Sequence, residues 1–195
     1  AFWNPLSHCE ALQNHNKIDL IAASDLNKEN LEAASKKYNI NKKFDNYQNL
    51  IEETNPDVLC IATRTMGRAD IINFALDKGI KAFHVEKPLC NSLKELNKLE
   101  KKIYEKDIVL TLGTLRRYFR NYKIAKDIAY SGEFGKVREI RVNFGLGNLL
   151  WSHPHSIDLI LFGADNSKIV GVQSKLANVE FGSKKSEIIT DPKVV

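Results

Sequence analysis

Residues 80–89 read Ile80-Lys81-Ala82-Phe83-His84-Val85-Glu86-Lys87-Pro88-Leu89, and the reading of this stretch decides the fold. Ile80 to Val85 is a short, largely apolar run that follows Gly79, the pattern of a buried strand. Pro88 fixes its own φ and disfavours a helical conformation at Lys87, so the chain leaves the strand extended at a charged pair. Ser92 and Glu95 then form a capping box that opens a helix carrying Leu96, Leu99 and Ile103 inward.

The same alternation of strand and helix extends on both sides. Ile18 to Ala23, Val58 to Ala62 and Ile108 to Leu112 read as further buried parallel strands. Between them lie a helix from Asn27 to Tyr38, with Leu31, Ala34 and Tyr38 on one face, and a helix from Arg68 to Lys78 stopped by Gly79. Repeated strand, helix, strand order implies right-handed crossovers and an α/β fold with a doubly wound parallel (Rossmann) sheet. After Gly113 the rhythm changes. A helix from Tyr122 to Tyr130 ends at Ser131 and Gly132, Val137 to Phe144 alternates charged and apolar residues, and a helix from His155 to Phe162 precedes a strand from Ile169 to Leu176. We therefore expect a dinucleotide-binding domain over 1–112, its first strand missing, and a partial substrate and oligomerisation domain over 113–195, an α+β unit with a largely antiparallel, incomplete sheet. That second sheet needs more strands than fit between Val137 and Val195.

Composition excludes several classes. With 43% hydrophobic residues the chain can build a core, and no run of eighteen apolar residues spans a membrane. The 29 Lys and Arg alternate with 24 Asp and Glu instead of forming a block, so Lys36, Lys37, Lys42 and Lys43 read as solvated surface and no nucleic-acid partner is expected. Cys9, Cys60 and Cys90 sit singly in apolar stretches without C-x-x-C spacing, which favours a reducing, cytoplasmic compartment. No secretory signal is visible in Ala1 to Leu6, and the chain reads as entered partway through.

Ligands of open parallel sheets bind at the carboxyl ends of the strands, which is where Glu86-Lys87-Pro88 lies. A lysine there can hydrogen-bond a reacting hydroxyl and stabilise a developing alkoxide; the bland reading is an ion pair at a surface strand end. Asp25 ends the first visible strand, where a nucleotide fold places an acid on the adenosine ribose hydroxyls; equally it could only cap the helix from Asn27. An acid there favours NAD over NADP, whose 2′-phosphate it would repel. A G-x-G-x-x-G turn is absent, and Phe2 and Pro5 stand where two of its glycines would fall. His153, His155 and Asp158 include metal-ligand types, but no second cluster completes a site, so no metal is expected.

These features together resemble the Gfo/Idh/MocA oxidoreductase family, which takes in glucose-fructose oxidoreductase and inositol 2-dehydrogenase. The resemblance rests on Asp25, on Pro56-Asp57-Val58 leading to Ala62-Thr63, on Ala75-Leu76 with Gly79 before Glu86-Lys87-Pro88, on Arg116-Arg117-Tyr118, and on Ser131-Gly132-Glu133-Phe134-Gly135-Lys136-Val137. It implies cofactor contacts at Asp25, Ala62, Thr63, Glu86, Lys87 and Pro88, and a catalytic Lys87 that meets both nicotinamide and substrate. It also implies a second site in Gly147-Asn148-Leu149-Leu150-Trp151-Ser152-His153-Pro154-His155-Ser156-Ile157-Asp158. Family members usually carry an aspartate four residues before a histidine and another three after it. His155 and Asp158 match the last two, with His155 the expected proton acceptor and Asp158 its orienting partner, but Trp151 stands at the first. Trp151 and His153 are candidate substrate contacts, as are Arg116 and Arg117, whose guanidinium forks suit carboxylate and phosphate oxygens. The expectation is an NAD(P)-dependent sugar or cyclitol dehydrogenase, with NAD favoured, acting on a sugar, an inositol or a nucleotide sugar and forming a homo-oligomer. The alternative is a dinucleotide-binding regulator of the same fold that has lost turnover.

Overall fold

Short polar side chains set where the helices begin. Asn27, Asn46 and Ser92 accept the backbone N–H groups of Asn30, Asn49 and Glu95 at 3.0, 2.8 and 3.2 Å, each satisfying a donor the first turn leaves free. Left-handed residues end them: Asn39 (φ 53°) and Asn55 (φ 39°), then Gly79 (φ 91°). At Gly79 the N–H of Ile80 returns to the Ala75 carbonyl at 3.0 Å and that of Gly79 to Leu76 at 3.2 Å, a Schellman closure that turns the chain into the next strand.

The computed structural model describes residues 7–144 and 147–175. The described elements are α1 (His8–Gln13), β1 (Ala22–Ser24), α2 (Lys28–Tyr38), β2 (Lys42–Phe44), α3 (Tyr47–Thr54), β3 (Val58–Ile61), α4 (Arg68–Asp77), β4 (Ala82–Val85), α5 (Leu93–Glu105), β5 (Val109–Leu112), a 3-10 turn (Leu115–Tyr118), α6 (Arg120–Ala129) and α7 (Leu149–Gly163). They fall into two units, one taking the residues up to Val85 with Lys98–Thr111, the other Glu86–Asn97 and the residues from Leu112 onward.

In the first unit β1 pairs in parallel with β2, Ala22 opposite Lys42. β3, β4 and β5 form a second sheet in that order, β3 and β4 parallel with Val58 opposite Ala82 and Ile61 opposite Val85. These strands and crossover helices give the expected Rossmann-like layering. Helices cover the sheets and bury Ile51, Ile72, Leu76, Val85 and Leu99 to 1% exposure or less. Leu99 is the one residue of α5 that is fully enclosed, whereas Leu96, expected beside it, stays 40% exposed. Two features differ from the sequence reading. Pairing begins at Ala22, after Ile18 has already turned back to the His15 carbonyl, so β1 is shorter and later than Ile18 to Ala23. β2 comes from Lys42-Lys43-Phe44, a charged three-residue segment that reads as surface because one edge of it meets water.

In the second unit α7 starts at Leu149, not His155. Pro154 lies inside the helix, where its missing N–H costs one backbone bond without ending the element. No antiparallel sheet is present among the described residues. Val137–Phe144 and 169–175 are irregular, with Leu176 outside the described residues. An alternating segment becomes a strand only with a neighbour in register, and neither stretch has one among the described residues. Val170 and Val172 are 98% and 84% exposed, while Val137, Ile140 and Val142 line an apolar cavity of about 440 Å3 with Tyr122, Leu159 and Phe162.

Candidate functional site around Lys87 and His155

Helical spacing assembles one side of the site. Trp151, His155 and Asp158 lie four and three residues apart on α7, so they share a face. Lys87 reaches this helix from the segment that follows β4. Its Nζ donates to the Trp151 carbonyl at 2.7 Å and stands 4.1 Å from the Trp151 ring centroid. The ammonium thus meets a carbonyl dipole and an indole face. The Lys87–Pro88 peptide is cis.

Glu86 packs its carboxylate against Gly113, where a Cβ would lie 3.0 Å from Oε1, and accepts the Lys87 N–H at 3.1 Å. Gly113 is a position the sequence reading used only as a domain boundary. Any side chain there would displace the carboxylate that fixes the backbone of Lys87.

Arg117 and Asp158 hold each other. Arg117 Nε donates to Oδ1 and Oδ2 at 2.9 and 3.0 Å, and Nη2 donates to Oδ1 at 2.5 Å. This fork-on-carboxylate pair raises the Arg117 pKa and locks Asp158, itself only 9% exposed, onto the 3-10 turn. Asp158, expected to orient His155, accepts its hydrogen bonds from the guanidinium of Arg117 instead. Neighbouring Arg116 is half-buried and places its guanidinium carbon 5.6 Å from the Phe144 ring centroid, and that ring meets His153 edge-on at 5.3 Å.

His155 is half-buried, and its Nδ1 is enclosed with no hydrogen-bond partner among the described residues. Burial pushes its pKa down, and Arg116 and then Lys87 push it further in the same direction, against smaller opposing effects of Glu86 and Asp158. The imidazole is therefore biased toward its neutral form, the form able to accept a proton. His153 Nε2 is likewise enclosed without a partner among the described residues, and Trp151 is 72% exposed.

The remaining expected residues belong to the first unit. Asp25 follows β1 and accepts the Asn27 N–H on Oδ1 at 2.8 Å, while Asn27 itself caps α2. The cap itself is Asn27, with Asp25 bonded to it at the start of the helix. Asp25 Oδ2 has no partner among the described residues, an acceptor of the kind that suits a ribose hydroxyl. Ala62 and Thr63 follow β3 on an exposed turn, and the Thr63 carbonyl accepts Nη2 of Arg68. Arg68, 2% exposed at the start of α4, thereby ties down this turn, a contact that sequence patterning missed, since its place at a helix start gives no hint that it folds back on the loop. Phe2 and Pro5 lie outside the described residues. No group of three or more metal-ligand side chains occurs among the described residues, and no described helix is long and apolar enough to cross a membrane.

The model of the Gfo/Idh/MocA family, described as an oxidoreductase family with an NAD-binding Rossmann fold, matches residues 6–114, more than half of the chain. Myo-inositol 2-dehydrogenase of Thermotoga maritima is 27% identical over 135 residues, which cover 69% of this chain and 40% of that protein. The scyllo-inositol 2-dehydrogenase (NAD(+)) of Bacillus subtilis is 31% identical over 117 residues, 60% of this chain and 34% of that one. Among solved structures, scyllo-inositol dehydrogenase from Lactobacillus casei, with bound NAD(H) and scyllo-inositol, superposes with a TM-score of 0.71 at 20% identity, covering 81% of this chain and 54% of that chain. The structural likeness establishes the fold. The chain spans less than half the length of either of these two curated relatives.

Proposed function

The chain belongs to the Gfo/Idh/MocA oxidoreductase family, and on that premise we propose that it oxidises a secondary alcohol of a sugar, cyclitol or nucleotide sugar with NAD. The observation that carries the proposal is the Lys87 ammonium held 2.7 Å from the backbone of the helix that bears His155. When bound, NAD supplies the acceptor for the hydride that leaves the carbinol carbon. His155 takes the hydroxyl proton; with Nδ1 enclosed, Nε2 is the nitrogen that receives it. Lys87 donates to the same oxygen as negative charge builds on it, and the substrate becomes a ketone. Glu86 holds the Lys87 backbone, Asp158 keeps Arg117 in place, and Trp151 and His153 shape the rim that meets the sugar ring. Ala62, Thr63 and Pro88 are the further cofactor contacts that the family resemblance implies, and Asp25 receives the ribose hydroxyls and favours NAD over NADP.

We also assign the dinucleotide-binding role to 1–112 and the substrate and homo-oligomer role to 113–195. A second reading, a regulator that binds the dinucleotide without turnover, draws on Trp151 at the position where relatives usually carry an acid. Purified full-length protein incubated with NAD or NADP and a panel of inositols, hexoses and sugar nucleotides separates the two. NADH appearing with at least one polyol supports the dehydrogenase; NAD binding with no NADH from any of them supports the regulator.

A further inference from the structure

Arg116 and Arg117 are adjacent in one 3-10 turn yet meet different fates. Arg117 is neutralised by the carboxylate of Asp158, whose two oxygens it occupies. Arg116 is half-buried, has no carboxylate partner among the described residues, and lies against the Phe144 ring, which in turn abuts His153. A guanidinium beside an aromatic ring spends none of its N–H donors there, so a planar or tetrahedral oxyanion can take two of them.

Arg117 and Asp158 form a closed pair, which leaves the Arg116 charge without a carboxylate of its own among the described residues. The field at His155 has the same sign, because Arg116 and Lys87 depress its pKa more than Glu86 and Asp158 raise it. A half-buried cation with no counter-ion is costly, and a substrate bearing negative charge would relieve that cost where a neutral polyol would not.

We propose that the substrate of this site carries an anionic group, a carboxylate or a phosphate, and that Arg116 receives it. The proposal rests on the dehydrogenase reading above and narrows it to acid-bearing sugars or sugar phosphates. Arg116 is then a specificity residue, and Phe144 is the platform that positions it.

The test compares full-length wild type, Arg116→Gln and Arg116→Lys, each with NAD, on glucose, glucuronate and glucose 6-phosphate, and on myo-inositol and its monophosphate. In the wild type, kcat/KM for an anionic compound should exceed that for its neutral parent by about ten- to a hundredfold, the value of a charge-assisted contact. Arg116→Gln should erase that ratio and Arg116→Lys should keep part of it. Preference for glucuronate over both phosphates identifies a carboxylate, and the reverse identifies a phosphate. Equal or better turnover of the neutral compounds, or a ratio unmoved by Arg116→Gln, overturns the proposal and leaves the dehydrogenase standing. If nothing turns over, calorimetry of glucuronate and glucose 6-phosphate binding to the NAD-loaded protein decides: binding lost in Arg116→Gln supports the anion site while the dehydrogenase reading fails, and no binding overturns both.

Discussion

The parallel-strand unit and the helical unit are held together by different forces. In the first, Ile51, Ile72, Leu76 and Val85 are all buried to 1% exposure or less, and α4 alone encloses Ile72 and Leu76 one turn apart. In the second, α6 buries no residue, and the contacts on α7 and its flanks are directional: Arg117 on Asp158, Lys87 on Trp151, and Lys126 on Asp165 at 2.5 Å. Apolar burial is non-directional and tolerates small shifts, whereas a fork on a carboxylate or an ammonium over a ring depends on angle and distance. The stable scaffold and the precise geometry are thus carried by separate parts of the chain. Changes in the apolar core of the first should act on stability, and changes at Lys87 in the second on chemistry.

The sharpest way to break this contrast is Lys87→Ala. On the proposed mechanism kcat should fall by about 10²–10⁴ while the melting temperature stays close to wild type, because the side chain is only half-buried. A mutant that loses stability instead of rate would place Lys87 among the structural residues. Ile72→Ala is the converse, since its side chain is fully enclosed: denaturant unfolding should show a loss of about 2–5 kcal/mol, with kcat of the folded fraction unchanged. Asp158→Asn sits between them. It leaves Arg117 facing a neutral amide, and unfolding should report a loss of about 1–3 kcal/mol together with weakened substrate affinity.

A pH profile sharpens the comparison with less effect on rate. The acid limb of kcat/KM should lie below the ordinary histidine value, because burial and two neighbouring cations favour neutral His155. Removing one of those cations with Arg116→Gln should move the limb to higher pH; a limb that stays put would mean another group titrates. The sign for stability follows from the same shift. The folded pKa of His155 lies below the unfolded one, so its contribution is present above the unfolded pKa and is lost as pH falls through that value toward the folded one. The smallest effect belongs to Glu32→Ala, which removes an exposed ion pair to Lys43 at 2.8 Å and should change stability by no more than about 0.5 kcal/mol.

How far each unit could be read from sequence follows the same division. Asn27, Gly79 and the Ser92–Glu95 box mark helix ends by local chemistry, and β3, β4 and β5 coincide with apolar runs that a buried parallel sheet requires. β2 escaped because its lysines serve an edge, and the start of α7 because Pro154 looks like a break when the helix in fact runs through it. Val137–Phe144 has the alternation of a strand, yet that pattern records only which face is apolar and says nothing of whether a partner strand is there. The contacts that build the candidate site were invisible for another reason. Lys87 and Trp151 are 64 residues apart, and Arg117 and Asp158 are 41 apart, so no local period links them. Family resemblance put Lys87, His155 and Asp158 in one region; that Asp158 would be taken by Arg117, and Lys87 by an indole and a carbonyl, came only from the fold.

The most direct test of the central claim follows the hydride itself. A polyol turned over in the panel is prepared with deuterium on its reacting carbon and oxidised by the full-length protein with NAD, and the dinucleotide product is examined by mass spectrometry. The account predicts NADH that carries the deuterium, formed by wild type and nearly absent with Lys87→Ala. NADH free of label, or equal labelled product from the alanine variant, would contradict it.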